Sequence, residues 1–258
     1  MNIFVPLILA AILYIQSAPA FSNVLHYRPH GPGRPDGLLN WLQPPRLQSY
    51  PTPTQSTTLI SCSELRQIII RNGYTAGDDL EAHCQILNRD ASRLGRIQTR
   101  TELAMFLAHV LLETGGLTQF EEHAALVDQQ AAARYASPLG RKDKYYFGRG
   151  CLQLSWPENY KDASLALYGN GNILIDDPDW VARDINVAWA TAFWYWRERV
   201  RVVSGVIDSM DFGKTIRAIN GQIECSGLDA TAQKRFEIYW NILAVFGLPQ
   251  PVHRNISC

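Results

Sequence analysis

Apolar residues recur at three- and four-residue steps through most of the chain beyond residue 99. Leu103, Phe106, Leu107, Val110 and Leu111 follow Thr99-x-x-Glu102, which reads as a capping box. Gly115-Gly116 then stops that helix, with one face expected to be buried. A second helix is predicted from about Pro178 or Asp184 to Val200. Its Trp189, Phe193, Trp194 and Trp196 leave little polar face, so it should lie at the centre of the core. A third covers Phe212 to Ile219. A fourth begins at Asp229, carries Phe236, Tyr239, Trp240, Leu243 and Phe246, and ends at Gly247 and Pro249. Strand-like alternation is scarce, and Tyr145 to Leu154 is the best extended segment. No fixed-period repeat appears. The pattern predicts a mainly α (α+β) fold: a helical domain with a small β element.

The first 58 residues read differently. Residues 1–20 carry no charged side chain, and an apolar run from Ile3 to Ile15 leads into Ser17-Ala18-Pro19-Ala20. This reads as a secretory signal peptide cut after Ala20, and the expected location is extracellular. From Phe21, prolines such as Pro29, Pro44 and Pro53 crowd the chain, and a Thr/Ser-rich tract closes the stretch. Residues 21–59 are therefore read as a linker, since Pro removes donors and blocks regular structure. The folded domain is expected over residues 60–258, about 200 residues, enough for one core.

With 258 residues, 24 Lys+Arg, 24 Asp+Glu and 47% apolar content, the chain cannot be wholesale disordered. A balanced charge argues against nucleic acid or an anionic membrane as partner, and a monomer is expected. Seven Trp and eleven Tyr are generous, and such rings also make platforms for sugar faces. In an oxidising compartment the five cysteines should form disulfides. Four paired cysteines allow three connectivities, and chain order favours Cys62–Cys84 and Cys225–Cys258. Asn255-Ile256-Ser257 is an N-glycosylation sequon.

Glu113 stands out among the carboxylates. It lies three residues beyond Val110, beside the apolar face, in the last helical turn. Desolvation and the negative end of the helix both disfavour its ionised form, as a general acid near neutral pH requires. The alternative is a solvated glutamate at a helix end. Glu121 and Glu122 follow eight and nine residues on, so a bend and a loop can bring one back to face Glu113. Inverting glycoside hydrolysis needs such a pair, with carboxyls about 6.5–9.5 Å apart; the alternative is a solvated acidic pair. In the segment Tyr145 to Trp156, Gln153 and Ser155 alternate with Leu152 and Leu154, so an extended chain would put both polar groups on one side. Amide, hydroxyl and aromatic groups together suit an acetamido-bearing sugar; the alternative is an ordinary edge strand.

At these residues the chain resembles the family 19 chitinases, lysozyme-like glycoside hydrolases, and is closest to their short-loop members. Four blocks carry the likeness in order. They are Phe106-Leu107-Ala108 through Glu113-Thr114-Gly115-Gly116; Gly148-Arg149-Gly150 through Gln153-Leu154-Ser155-Trp156 and Asn159-Tyr160; Asp177 to Ala182 with Ala192 to Trp196; and Ile216 to Gly221 with Ile223-Glu224-Cys225 and the closing Asn255 to Cys258. The resemblance covers residues 60–258. It implies a secreted endo-acting chitinase that inverts at a β-1,4-linked N-acetylglucosamine unit, with no metal and no organic cofactor. It implies Glu113 as general acid, Glu122 rather than Glu121 as base, and Ser155 as a holder of the attacking water. Gln153, Asn159 and Asn220 would bind sugar, and Glu224 and Arg235 would complete that site as the supporting charge network of the cleft. The family's C-terminal disulfide matches Cys225–Cys258.

Three positions depart from the family pattern. Leu112 stands where His usually precedes the acid, Cys151 where Pro or an apolar residue follows Gly-Arg-Gly, and Glu158 replaces a Tyr of the signature. Two other readings compete with chitin hydrolysis: peptidoglycan hydrolysis, and sugar binding without turnover. A metal hydrolase built on His109, Glu113 and His123 lacks a metal-ligand spacing. His109 reads as a satisfied helix histidine and Cys151 as a buried thiol.

Overall fold

The computed structural model describes residues 47–48, 58–225 and 230–251. The apolar leader, most of the Pro-rich stretch, Asp229, the Asn255 sequon and Cys258 lie outside the described residues. Leu47 and Gln48, both within the expected linker, are packed onto the domain: Leu47 lies against the core and the Gln48 amide donates to Leu167 O at 2.7 Å.

The domain is helical. Helices α1 (Cys62–Arg71) and α2 (Leu80–Gly95) come first, followed by α3 (Arg100–Glu113). Two short helices, α4 (His123–Val127) and α5 (Gln129–Ala133), precede an irregular loop. Then come α6 (Pro157–Tyr168), α7 (Ile173–Asp176), α8 (Trp180–Arg183) and α9 (Ile185–Tyr195), which runs on as a π-helical turn, Trp196–Val200. Helices α10 (Phe212–Glu224) and α11 (Ala230–Phe246) close the fold. Among the described residues, no helix is long and apolar enough to cross a membrane.

Helix α3 is the central post. It packs most extensively against α11, while α9 packs against α2. Every residue of α3 from Glu102 to Leu111 is buried, so it has no solvated face, unlike the one-sided helix its apolar spacing predicts. Ala104, Met105 and Ala108 fill the other sides, and the polar members carry internal partners. The capping box forms only in part. The Thr99 hydroxyl caps the Glu102 amide at 3.1 Å, but the Glu102 carboxylate turns inward. There it accepts from the Trp196 indole at 3.1 Å and from Arg201 at 2.9 Å. Phe106 anchors an aromatic cluster with Phe193 at 5.2 Å, Trp196 at 5.5 Å and Trp189 at 6.2 Å between centroids. Such rings dominate core energetics through buried area and edge or offset contacts.

The stop after α3 is a Schellman motif. Gly115 N donates to Leu112 O at 3.4 Å and Gly116 N to Leu111 O at 2.8 Å. Gly115 has φ 56°, as that turn requires. At Gly116, with φ 80°, a Cβ would strike Tyr74 at 2.4 Å. The Gly-Gly pair thus ends the helix and admits Tyr74 beside it.

The small β element is not formed as a strand. Among the described residues only isolated bridges occur, Glu121 with Arg149 and Arg149 with Leu154. The chain folds back on itself: Arg149 N donates to Leu154 O at 3.1 Å and Leu154 N to Arg149 O at 2.7 Å. Gly150 (φ 77°) and Gln153 (φ 49°) make the reversal, which an alternating strand cannot contain. The Cys62–Cys84 disulfide is present, with Cα atoms 5.4 Å apart, and ties α1 to α2. The expected Cys225–Cys258 pairing involves Cys258 and falls outside the described residues.

Candidate active site

The end of α3 delivers Glu113 to the wall of a cavity of about 310 Å³. Tyr135, Gln153, Ser155, Trp156, Asn159 and Tyr195 border the same space, with the Arg217 to Gln222 stretch of α10 opposite. The Glu113 side chain is only 4% exposed, and it ion-pairs with Arg235 of α11. Burial raises its pKa; the Arg235 charge pulls it down, and the nearby Glu224 and Glu122 charges push it up again. The net effect is a raised proton affinity.

Arg235 is fully buried and braced on three sides. Its Nε donates to Glu224 Oε2 at 2.8 Å and its Nη2 to Glu224 Oε1 at 3.0 Å, a two-point fork. The same Nη2 reaches Glu113, and Nη1 meets His109 Nδ1 at 3.3 Å. Asn220 Nδ2 donates to Glu224 Oε1 at 2.7 Å. Asn220 breaks the helical path of α10 (φ −146°, ψ 31°), and that kink sets its side chain between the network and the cavity. Glu224 and Arg235 do not border the cavity. They lie behind Glu113 and brace it, so of the five residues expected to form the sugar-binding site only Gln153, Asn159 and Asn220 line the open space.

The adjacent glutamates of the returning loop part company. Glu121 pairs its backbone with Arg149, and its carboxylate lies 3.6 Å from the Arg149 Nε. Arg149 is itself buried over the Phe147 ring at 3.6 Å and donates to Asp179 at 2.7 Å. Glu122 does not border the cavity, but its charge lies near enough to Glu113 to raise that residue's proton affinity. Its backbone N donates to Gly148 O at 2.8 Å, and Gly148 N donates back to its carboxylate at 3.2 Å. The Tyr135 phenol lies near that carboxylate and favours its charged form. Burial raises the Glu122 pKa, against the opposing pull of the Gly148 amide and the Tyr135 phenol.

The fold-back after Arg149 places Gln153, Ser155 and Asn159 on the cavity by a route other than strand alternation. Ser155 Oγ donates to Gln153 O at 2.9 Å, and Asn159 Nδ2 to Ser155 O at 2.9 Å. Trp156, held at φ 75°, faces Tyr135 edge to face at 5.4 Å. Tyr135 and Tyr195 escaped the sequence reading. Tyr135 follows a run of alanines, and nothing local marks it as a partner of Glu122. Tyr195 sits in the aromatic run of α9 and reads there as core.

The three departures from the family pattern have plain settings. Leu112 packs against the core and Cys151 is buried within it. Glu158 is exposed in the first turn of α6, where a negative charge suits the helix N-terminus.

Comparison with known proteins follows the same residues. The family model described as chitinase class I matches residues 91–205, a span that holds Glu113, Glu122, Gln153, Ser155 and Asn159. An endochitinase of Arabidopsis thaliana is 38% identical over 176 residues, covering 65% of this chain and 60% of the relative. An acidic endochitinase of Dioscorea japonica is 41% identical over 165 residues, covering 62% of each. The chain therefore spans about three fifths of the length of these relatives. Chitinase C from Streptomyces griseus superposes with a TM-score of 0.59 at 27% identity, over 79% of this chain and 82% of that one. A class IV chitinase from Zea mays gives a TM-score of 0.59 at 26% identity, over 78% of this chain and 98% of that one. A buried carboxyl at the end of a central helix, a second one on the loop that follows, and matches in sequence and fold that run through both make this chain similar to the family 19 chitinases.

Proposed function

We propose that the protein is an endo-acting chitinase that hydrolyses β-1,4-linked N-acetylglucosamine chains with inversion at the anomeric carbon. One observation carries this reading. Two carboxyls, Glu113 and Glu122, have raised proton affinity, the charge of Glu122 adding to the affinity of Glu113, and Glu113 borders a cavity lined by amide, hydroxyl and aromatic groups.

The chemistry follows from the two environments. Glu113, buried and protonated, gives its proton to the glycosidic oxygen as the bond to C1 breaks. Glu122, ionised and held by Gly148 beside Tyr135, takes a proton from a water that attacks C1 from the opposite face. Ser155 is assigned to hold that water, while Gln153, Asn159 and Asn220 bind the acetamido sugars. Arg235 and Glu224 keep the acid in place. The leading apolar segment read in residues 1–20 would direct the protein out of the cell, where chitin is met.

Reducing ends released from colloidal chitin, with the α-anomer formed first by NMR, are the expected result. Clearing of bacterial walls without action on chitin would favour a peptidoglycan substrate. Glu113→Gln should abolish turnover and spare the binding of chitin oligosaccharides; unchanged turnover would remove Glu113 from the acid role.

A further inference from the structure

His109 lies one turn before Glu113 on α3 and is completely buried. The reaction just described gives it no task. Its two ring nitrogens nevertheless join the three helices that build the acid's side of the cleft. Nδ1 meets Arg235 of α11 at 3.3 Å, and Nε2 meets the Thr215 hydroxyl of α10 at 2.7 Å.

The donors and acceptors around the ring fix its state. A guanidinium has only donors, so His109 Nδ1 accepts. The Thr215 hydroxyl gives its own proton to Phe212 O at 2.6 Å, so its oxygen accepts from Nε2. Both conditions hold only for the neutral ring with its proton on Nε2. A charged ring would set an N–H against the N–H of Arg235. Burial and the Arg235 charge hold the His109 pKa well below its ordinary value. The charged groups facing it are Arg235 of α11 and, behind that guanidinium, Glu113 of its own helix and Glu224 of α10. Its other neighbours are rings: Phe212 stacks at 5.1 Å and Trp196 tilts at 6.3 Å.

Arg235 needs such a third anchor. Its Nη2 is shared between Glu113 and Glu224, so a small swing of the guanidinium plane would favour one carboxylate at the other's expense. The bond to Nδ1 holds the opposite corner of the plane. We propose that His109 is a positioning residue: as a neutral acceptor, oriented by Thr215, it fixes the plane of Arg235 and thereby sets where the Glu113 carboxyl points. The inference rests on Glu113 being the acid of the proposed reaction.

The test compares His109→Leu, His109→Gln and Thr215→Val with wild type on soluble chitin hexasaccharide, with thermal unfolding to verify folding. His109→Leu removes the acceptor and should lower kcat on the order of 10²-fold while leaving KM nearly unchanged. The basic limb of its kcat–pH profile should move to higher pH, because a slack Arg235 lowers the Glu113 pKa less. His109→Gln keeps an acceptor and a donor and should recover most of the loss. Thr215→Val, near-isosteric, frees the tautomer and should move the same limb part of the way. In ¹⁵N-labelled wild type, Nε2 should appear protonated and Nδ1 unprotonated. Equal kcat and pH limbs for the Leu and Gln variants, or the opposite tautomer, would overturn the inference. Should His109→Leu fail to fold, an unmoved limb in Thr215→Val overturns it alone. Turnover surviving in Glu113→Gln would instead sink the underlying reaction, a separate outcome.

Discussion

The two carboxyls are held by different means. Glu113 stands on a helix buried on every side, and its carboxyl is locked to Arg235 and, through Arg235, to Glu224 and His109. Glu122 stands on a loop whose nearest helices, α4 and α5, are five residues each, and it is held by a pair of hydrogen bonds to Gly148, with the Tyr135 phenol nearby. The proposed acid is thus part of the core and the proposed base lies nearer the surface. Disturbing the first should cost stability as well as rate; disturbing the second should cost rate and pH response with the fold intact.

The largest separation of the two carboxyls should come from Glu122→Ala. Loss of the base should lower kcat by about 10²–10⁴-fold while the melting temperature stays close to wild type. Glu121→Ala sharpens the contrast, because that carboxylate pairs with the buried Arg149. It should lower stability more than Glu122→Ala and spare most of the turnover. The reverse ranking in kcat would exchange the two glutamates' roles.

On the acid's side, Arg235→Met should be costly to the fold. It leaves Glu113 and Glu224 buried together without their cation, and breaking a buried ion pair in this way costs about 3–5 kcal/mol. A clear fall in melting temperature at pH 7, partly recovered at lower pH as a carboxyl protonates, is expected. A melting temperature equal to wild type would mean that the network does not hold the wall.

Legibility in the sequence divides along the same line. Helices α3, α9, α10 and α11 announced themselves because long apolar runs at helical spacing have few other uses, and Gly115-Gly116 marked a true stop. Helices α2 and α6 went unread because their buried faces include polar residues satisfied inside the fold, whereas α1 buries only Leu65, Ile68 and Ile69, a stripe too short to stand out. Asp90 of α2 takes Arg89 at 2.7 Å and Arg93 at 2.6 Å, and His83 accepts from Trp189 at 2.9 Å. Such residues look like surface until their partners are known. The fold-back at Gln153 was hidden for a different reason: a left-handed backbone at a glutamine is imposed by its surroundings. Tyr135 was invisible because its partner, Glu122, is brought to it by tertiary structure alone.

Tyr135→Phe is the finer probe of the loop side. The phenol near the Glu122 carboxylate favours its ionised form. Removing that hydroxyl raises the Glu122 pKa. A base works only when ionised, so the acid limb of kcat/KM should move to higher pH, by about one unit or less for the loss of one such group. The basic limb, set by Glu113, should stay near its place. A shift of both limbs together would mean that Tyr135 couples the two carboxyls instead of serving one.

The smallest effect is expected where the chain departs from the family pattern in the open. Glu158 is exposed and lies in the first turn of α6, next to Asn159 on the cavity. Its charge should favour the helix by about 0.3–1 kcal/mol through the N-terminal dipole. Glu158→Gln should therefore lower the melting temperature by a few degrees at most, and the loss should shrink in high salt, since an exposed charge is screened. The turnover of chitin oligosaccharides should not change, because Glu158 itself does not border the cavity. A rise in KM would instead show that the negative charge beside Asn159 reaches the bound sugar, and would turn this surface residue into part of the loop wall.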